Sequence, residues 1–128
     1  MRFKFMLALL AALGLAAVPA SALAHPKLVA ATPAANASVA PPTRIVLTFS
    51  ERLTPRLSGG SLVMTGMRGM KDHPPMKMSG VTSAVGADGK SIVLTLSKPL
   101  PRGTYRVEWF VVGGDTHRIT GVHVFTVK

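Results

Sequence analysis

The sequence contains no cysteine, and this absence excludes two common structural features of proteins. Without cysteine the chain can form neither a disulfide nor a thiolate metal site. It also lacks a nucleophile–base pair, a phosphate-binding loop and a pair of neighbouring carboxylates. We therefore expect that the protein is not an enzyme, and that any metal it binds is held by donors other than thiolate.

Aromatic and acidic residues are also scarce. The chain has one tryptophan, one tyrosine and five acidic residues against 15 basic ones, which gives a net charge of +10. The basic residues are scattered, whereas nucleic-acid binding requires a clustered footprint and usually stacking aromatics. We therefore expect no nucleic-acid partner. The charge favours attraction to anionic lipid or to an acidic protein surface instead.

The N-terminus has the pattern of a secretory signal peptide. Arg2 and Lys4 precede a short apolar run, and residues 22–24 (Ala-Leu-Ala) match the small-x-small pattern before a signal peptidase site. An uncleaved anchor is the alternative, but the run is short for a membrane span and no stop-transfer pattern follows it. We therefore expect residues 1–24 to be removed during export. Residues 25–128 should form one domain without a membrane-spanning segment.

Alternating apolar and polar residues predict β-strands through the rest of the chain. The runs cover residues 44–49, 91–96, 105–111 and 122–127, with weaker candidates at 27–31, 61–64 and 81–84. Turn signals such as Asp88-Gly89 separate them. About seven short strands in roughly 100 residues predict an all-β fold, either a Greek-key β-sandwich or a barrel. Trp109 should lie in its core, and residues 32–42 should form a long loop.

A methionine-rich segment is the most distinctive feature of the chain. Five of the seven methionines lie between Met64 and Met78, together with His73. Glycines and prolines interrupt the segment, so we expect a loop rather than a helix, and a loop has no core for methionines to fill. Thioether sulfur is a soft donor that selects monovalent copper. Core packing and a flexible contact surface are the alternatives.

Two further groups offer harder donors. Signal cleavage after Ala24 would give His25 a free α-amine beside its imidazole, and these two nitrogens can chelate one metal ion. Asp115 and His117 lie two residues apart, which in an extended segment places both side chains on the same side. Nitrogen and oxygen donors suit Cu(II). A chance N-terminal histidine and an ordinary turn aspartate are the alternatives.

Three other polar residues have simpler interpretations. His123 shares its alternation with Phe125 and Val127, so we expect it on a strand face rather than at a metal. Glu108 alternates with buried-type residues and should point outward. Asp72 lies in the methionine-rich segment, but a carboxylate prefers harder ions, and we expect it to be solvated.

Several segments resemble the CopC family of periplasmic copper-binding, copper-resistance proteins. They are HPKLVAATPA (25–34), IVLTFSERL (45–53), the methionine-rich segment, PLPRGTYRVEWFVVGGDTHRITG (99–121) and FTVK (125–128). The first segment and GDTHRITG are the most specific. The resemblance implies an immunoglobulin-like or cupredoxin-like β-barrel that binds Cu(II) at one end and Cu(I) at the other.

The resemblance also implies a ligand set. The Cu(II) ligands would be His25, Asp115 and His117, with Glu51 as a further candidate. The Cu(I) ligands would be Met64, Met67, Met70, His73 and Met76. This chain has one extra residue within 71–73 and adds Met78. Those differences leave open which methionines complete the site.

The function implied is that of a monomeric periplasmic copper carrier or buffer. Such a protein would pass copper to an inner-membrane copper transporter (CopD-like). Two other kinds of protein are the alternatives to a copper carrier. One is a copper monooxygenase in which an N-terminal histidine chelates the metal, and the other is a passive scavenger without a partner.

Overall fold

A computed structural model describes residues 25–67 and 74–128. These residues form nine strands and one turn of 3-10 helix (Pro55–Leu57). The strands are β1 (Leu28–Thr32), β2 (Ser38–Val39), β3 (Arg44–Phe49), β4 (Gly59–Met67), β5 (Met76–Lys77), β6 (Val81–Val85), β7 (Ser91–Leu96), β8 (Gly103–Val112) and β9 (Arg118–Val127). The predicted all-β fold is confirmed. The two strands beyond the expected seven, β2 and β5, have only two residues each.

The strands form two sheets that pack as a β-sandwich. One sheet has the order β1-β3-β7-β6 and the other β2-β9-β8-β4-β5. All pairs are antiparallel except β2 with β9. The expectation of one long loop over residues 32–42 was wrong, because it contains β2. A two-residue strand is too short to show an alternating pattern, so the sequence could not reveal it. No helix among the described residues is long and apolar enough to span a bilayer.

The alternating residues predicted to face inward form the core. Its fully buried members come from both sheets and include Ile45, Leu47, Ile92, Leu94, Val107 and Val111. Trp109 is buried as predicted and meets Phe49 edge-on at 5.0 Å between ring centroids. The indole lies directly over Gly121 on the neighbouring strand, where a Cβ would fall 2.2 Å from Cζ2. Only glycine therefore fits opposite Trp109.

His123 and Glu108 lie on strand faces as expected. His123 is 4% exposed, and its Nε2 lies 2.8 Å from the carbonyl oxygen of Pro33. This contact attaches the segment before β2 to strand β9. Glu108 is exposed on the outer face of β8.

Tyr105 fixes the start of β8. Its ring is fully buried and stacks on Phe125 at 5.7 Å, and its hydroxyl donates to the carbonyl oxygen of Pro101 at 2.6 Å. Burial raises the pKa of Tyr105 to about 12. The neutral hydroxyl is therefore part of the fold.

Replacing Tyr105 by Phe should lower the free energy of unfolding by about 1–2 kcal/mol at neutral pH, because the Pro101 carbonyl loses its donor. The wild-type chain should also lose stability as the pH rises from 10 towards 12. In that window unfolded tyrosine is ionised while folded Tyr105 keeps its proton, so the loss is at most about 1.4 kcal/mol per pH unit. Urea denaturation across this range measures both effects. If the unfolding free energy of the wild-type and Tyr105→Phe proteins fell equally between pH 10 and 12, Tyr105 would not be the group responsible for the loss.

The two long strands define two ends of the sandwich. Strands β8 and β9 have ten residues each and pair along their full length. At about 3.3 Å per residue they separate the ends by roughly 30 Å. We call the end with the β8–β9 turn (residues 113–117) the histidine end. The opposite end, where Met67 pairs with Gly103, is the methionine end.

Candidate metal centre

Three of the predicted ligands meet at the histidine end. The Nδ1 of His25 lies 2.6 Å from the Oδ2 of Asp115, and the Nδ1 of His117 lies 3.5 Å from the same oxygen. The two imidazole rings are 5.5 Å apart between centroids. All three residues offer a donor atom within 4.8 Å of the others, close enough for one metal ion. Among the described residues, no other His, Asp or Glu side chains converge in this way, and Glu51 does not belong to the cluster.

A tight turn holds Asp115 and His117 side by side. The amide of Thr116 donates to the Gly113 carbonyl at 3.2 Å, and the amide of His117 donates to Asp115 Oδ1 at 3.2 Å. Thr116 has φ of 66°, the left-handed conformation that β-branched residues rarely adopt. The expectation of an extended segment was therefore wrong, although the neighbouring placement it predicted is present. The turn uses one carboxylate oxygen for its own backbone and leaves Oδ2 to the imidazoles.

The first residues of the domain are fixed against that turn. Pro26 is buried and packs on Gly113, where a Cβ would lie 2.8 Å from the proline Cγ. The amide of Lys27 donates to Ser50 Oγ at 3.0 Å, and the Ser50 amide donates to the Lys27 carbonyl at 2.8 Å. These contacts place His25 beside Asp115. Pro26 directly follows His25, but nothing in the sequence showed that its ring packs on Gly113.

The carboxylate of the site is partly buried, and its imidazoles are open to solvent. The Asp115 side chain is 16% exposed, whereas His25 and His117 are 55% and 74% exposed. An ion can therefore reach the nitrogens from solvent without any rearrangement of the core. Two imidazoles and one carboxylate form a donor set that suits Cu(II), and a free α-amine on His25 would add a third nitrogen.

Replacing Gly113 by Ala should weaken metal binding without removing any donor. The new methyl group would overlap Pro26 and displace His25 from Asp115. Loss of such a supporting contact reduces metal affinity by about 10–100-fold. Cu(II) titration measures the change, and Gly114→Ala at the exposed neighbouring position is the matched control. Equal affinities for both variants would show that the Pro26 contact does not position His25.

The methionines are divided between the core and the surface. Met64 is 2% exposed and belongs to the core cluster, whereas Met67 and Met76 are 43% and 50% exposed. Met64 and Met76 are paired between β4 and β5. Met78 is partly buried against the core.

The expectation of a loop with no core to fill was thus wrong for Met64. Its segment continues strand β4, and the inward alternation that begins at Leu62 carries the Met64 side chain between the sheets. Gly66, which suggested a loop, is accommodated in the strand by an irregularity between Met64 and Gly66. Met70, His73 and Asp72 lie outside the described residues, as do residues 1–24, to which the signal peptide was assigned.

Comparison with known proteins identifies the family. The CopC domain family model matches residues 28–128. Copper resistance protein C of Escherichia coli is 53% identical over 108 residues, which cover 84% of this chain and 85% of that protein. Copper resistance protein C of Xanthomonas campestris pv. juglandis is 52% identical over 109 residues, which cover 85% of this chain and 84% of that protein.

Solved structures agree with the sequence relatives. The crystal structure of PcoC, a methionine-rich copper resistance protein from Escherichia coli, has a TM-score of 0.75 at 50% identity and covers 82% of this chain and 100% of that one. The crystal structure of CopC from Methylosinus trichosporium OB3b has a TM-score of 0.63 at 27% identity. It covers 81% of this chain and 94% of that one. The chain therefore belongs to the CopC family, as its resemblance implied.

Proposed function

We propose that this protein is a copper-resistance protein of the periplasm that binds Cu(II) at the histidine end. The observation that carries the proposal is the convergence of His25, Asp115 and His117 on a shared point, since these residues come from the first and last parts of the domain. Relatives named for copper resistance support the identity of the metal. Export would provide the free α-amine of His25, because residues 1–24 have the pattern of a cleaved signal peptide.

We assign Cu(I) to the methionine end. The exposed thioethers of Met67 and Met76 are available there as soft donors, and the resemblance adds Met70 and His73 to the set. Burial of Met64 favours a packing role over coordination. The long strands β8 and β9 separate the two ends by roughly 30 Å, so the two oxidation states would have independent sites.

Two separate sites for one metal suit a copper carrier or buffer. The exposed imidazoles allow Cu(II) to be released as well as bound, and a membrane copper transporter of the CopD type would be the recipient. A carrier is favoured over a copper monooxygenase because Asp115 contacts both imidazoles. Its carboxylate would then occupy a coordination position that oxygen chemistry needs open.

Replacing His117 by Ala tests the proposal. The variant should lose tight Cu(II) binding, by at least about 100-fold, because a direct ligand contributes more than the supporting contacts that are worth 10–100-fold. Cu(I) affinity should stay within a factor of about two, since the methionine end is remote. Aerobic titration with EPR detection and anaerobic titration with a Cu(I) competitor measure the two affinities. An equal fall in both would show that the ends form a single site.

His123→Gln is a useful comparison. His123 is the other described histidine, but it is buried and bonded to Pro33. Its replacement should leave Cu(II) affinity unchanged and should only reduce stability. A loss of Cu(II) binding in this variant would mean that the metal is held elsewhere than at the histidine end.

A further inference from the structure

The methionine end carries positive charge that no described acidic side chain offsets. Arg44 begins β3, Lys77 ends β5, and Lys98 and Arg102 lie in the β7–β8 loop; all four side chains are exposed. In the described part of the chain, none of the four forms an ion pair. Arg102 lines the same surface groove as the exposed Met67. This end therefore combines unpaired cations with exposed thioethers.

The histidine end differs in its charge. Of the five acidic residues in the chain, Glu51, Asp88 and Asp115 lie there, among several basic residues. Asp88 is in the β6–β7 turn, whose Gly89 carbonyl accepts from the Leu53 amide, so this turn belongs to the same end. Among the described residues, acidic side chains therefore accompany the basic ones at the histidine end, whereas the four cations of the methionine end have no acidic side chain beside them.

We propose that the methionine end is a docking surface for an anionic phospholipid bilayer. Its cations come from separate segments arranged around one end and do not converge on a cleft, which suits a broad, diffuse negative surface better than a single acidic group. Each basic residue near such a surface strengthens binding about fivefold. The exposed side chains of Met67 and Met76 can enter the interface, where apolar groups add to the electrostatic attraction.

Docking through this surface would orient the protein on the membrane. The bilayer would face the methionine end, and the histidine end would stand roughly 30 Å away in solvent, since β8 spans the distance between them. The four cations are not assigned as copper ligands, whereas Met67 and Met76 are the thioethers assigned to Cu(I). Electrostatic docking is therefore independent of the Cu(II) site, and only its apolar part shares side chains with the proposed Cu(I) site.

Vesicle flotation with the processed chain, starting at His25, tests this surface. That chain includes every residue of the sandwich and omits the apolar leader. Vesicles containing phosphatidylglycerol should bind it, vesicles of phosphatidylcholine alone should not, and raising the ionic strength from about 0.01 to 0.15 M should weaken binding steeply. Failure to bind the phosphatidylglycerol vesicles would overturn the proposal. Binding to poly-glutamate without binding to vesicles would indicate an acidic polypeptide partner instead, and would also overturn it.

Two charge-reversal variants with the same net charge separate the surface from overall electrostatics. Lys98→Glu with Arg102→Glu should reduce vesicle binding at least about tenfold. Lys27→Glu with Lys90→Glu, at exposed positions of the histidine end, should reduce it far less. Equal reductions would show that only the net charge matters and that no docking surface exists. Unchanged Cu(II) binding in the first variant, together with an unchanged unfolding midpoint, would show that its effect is local.

Discussion

A chain that carries one extra residue before His25 should bind Cu(II) at least about 100-fold more weakly than the processed chain. The extra residue converts the α-amine of His25 into an amide, which is a poor metal donor unless it is deprotonated. The imidazole, Asp115 and His117 remain, so the site loses one of four donors and the chelate ring at His25. Even residues that only support a ligand are worth about 10–100-fold in affinity.

The extended chain should fold normally, because His25 is exposed and Pro26 supplies the packing at this point. Its EPR spectrum should show one nitrogen fewer than that of the processed chain, and its Cu(I) affinity should not change. Isothermal titration of both chains under the same conditions gives the comparison. Equal Cu(II) affinities would mean that the amine is not a ligand, and that export is not needed before the protein can take up the metal.

Replacing Met67 and Met76 together by Leu should remove most of the Cu(I) affinity, by about 100-fold or more, and leave stability almost unchanged. Leucine preserves size and apolarity but removes the sulfur, which is the soft donor. Both side chains are about half exposed, and substitutions at such surface positions usually change stability by within about 0.5 kcal/mol. Anaerobic competition titrations and urea denaturation measure the two quantities.

Met64→Leu is the matched control, because it removes the same sulfur from a buried position. A volume-conserving change in the core should cost up to about 1.5 kcal/mol of unfolding free energy. Cu(I) affinity should change by less than about threefold. If this variant instead lost Cu(I) binding as strongly as the double variant, Met64 would be a ligand, and the end of strand β4 would have to open when the metal binds.

The fold could be predicted largely from alternation. Inward positions such as Ile45, Leu94 and Val107 are apolar at every second residue, and burial of that face is what drives two sheets together. The same rule correctly placed Trp109 and His123 on inner faces. It failed for β2, where two residues carry no pattern, and at residues 64–67, where glycines within a strand suggested a loop.

The chemistry of the donors was also evident before the structure. A histidine after a signal-peptide pattern, an Asp-x-His motif and a cluster of methionines indicate two classes of donor, because nitrogen, oxygen and sulfur differ in hardness regardless of how the chain folds. Which of those donors are available is a separate matter. Met64 and Met67 are three residues apart, yet one is 2% and the other 43% exposed.

By itself, the sequence determined the seven longer strands, the core face and the kinds of atoms that could bind a metal, since these depend on local pattern and side-chain chemistry. Only the tertiary structure decided which of these atoms meet. His25 reaches Asp115 because β1 pairs with β3, and Pro26 packs on the turn that follows β8. The separation of His25 and Asp115 is set by hydrogen bonds between strands that are distant in the sequence, and by the contact of Pro26 with Gly113. Neither leaves a periodic trace in the chain, so the assembled site could be seen only in three dimensions.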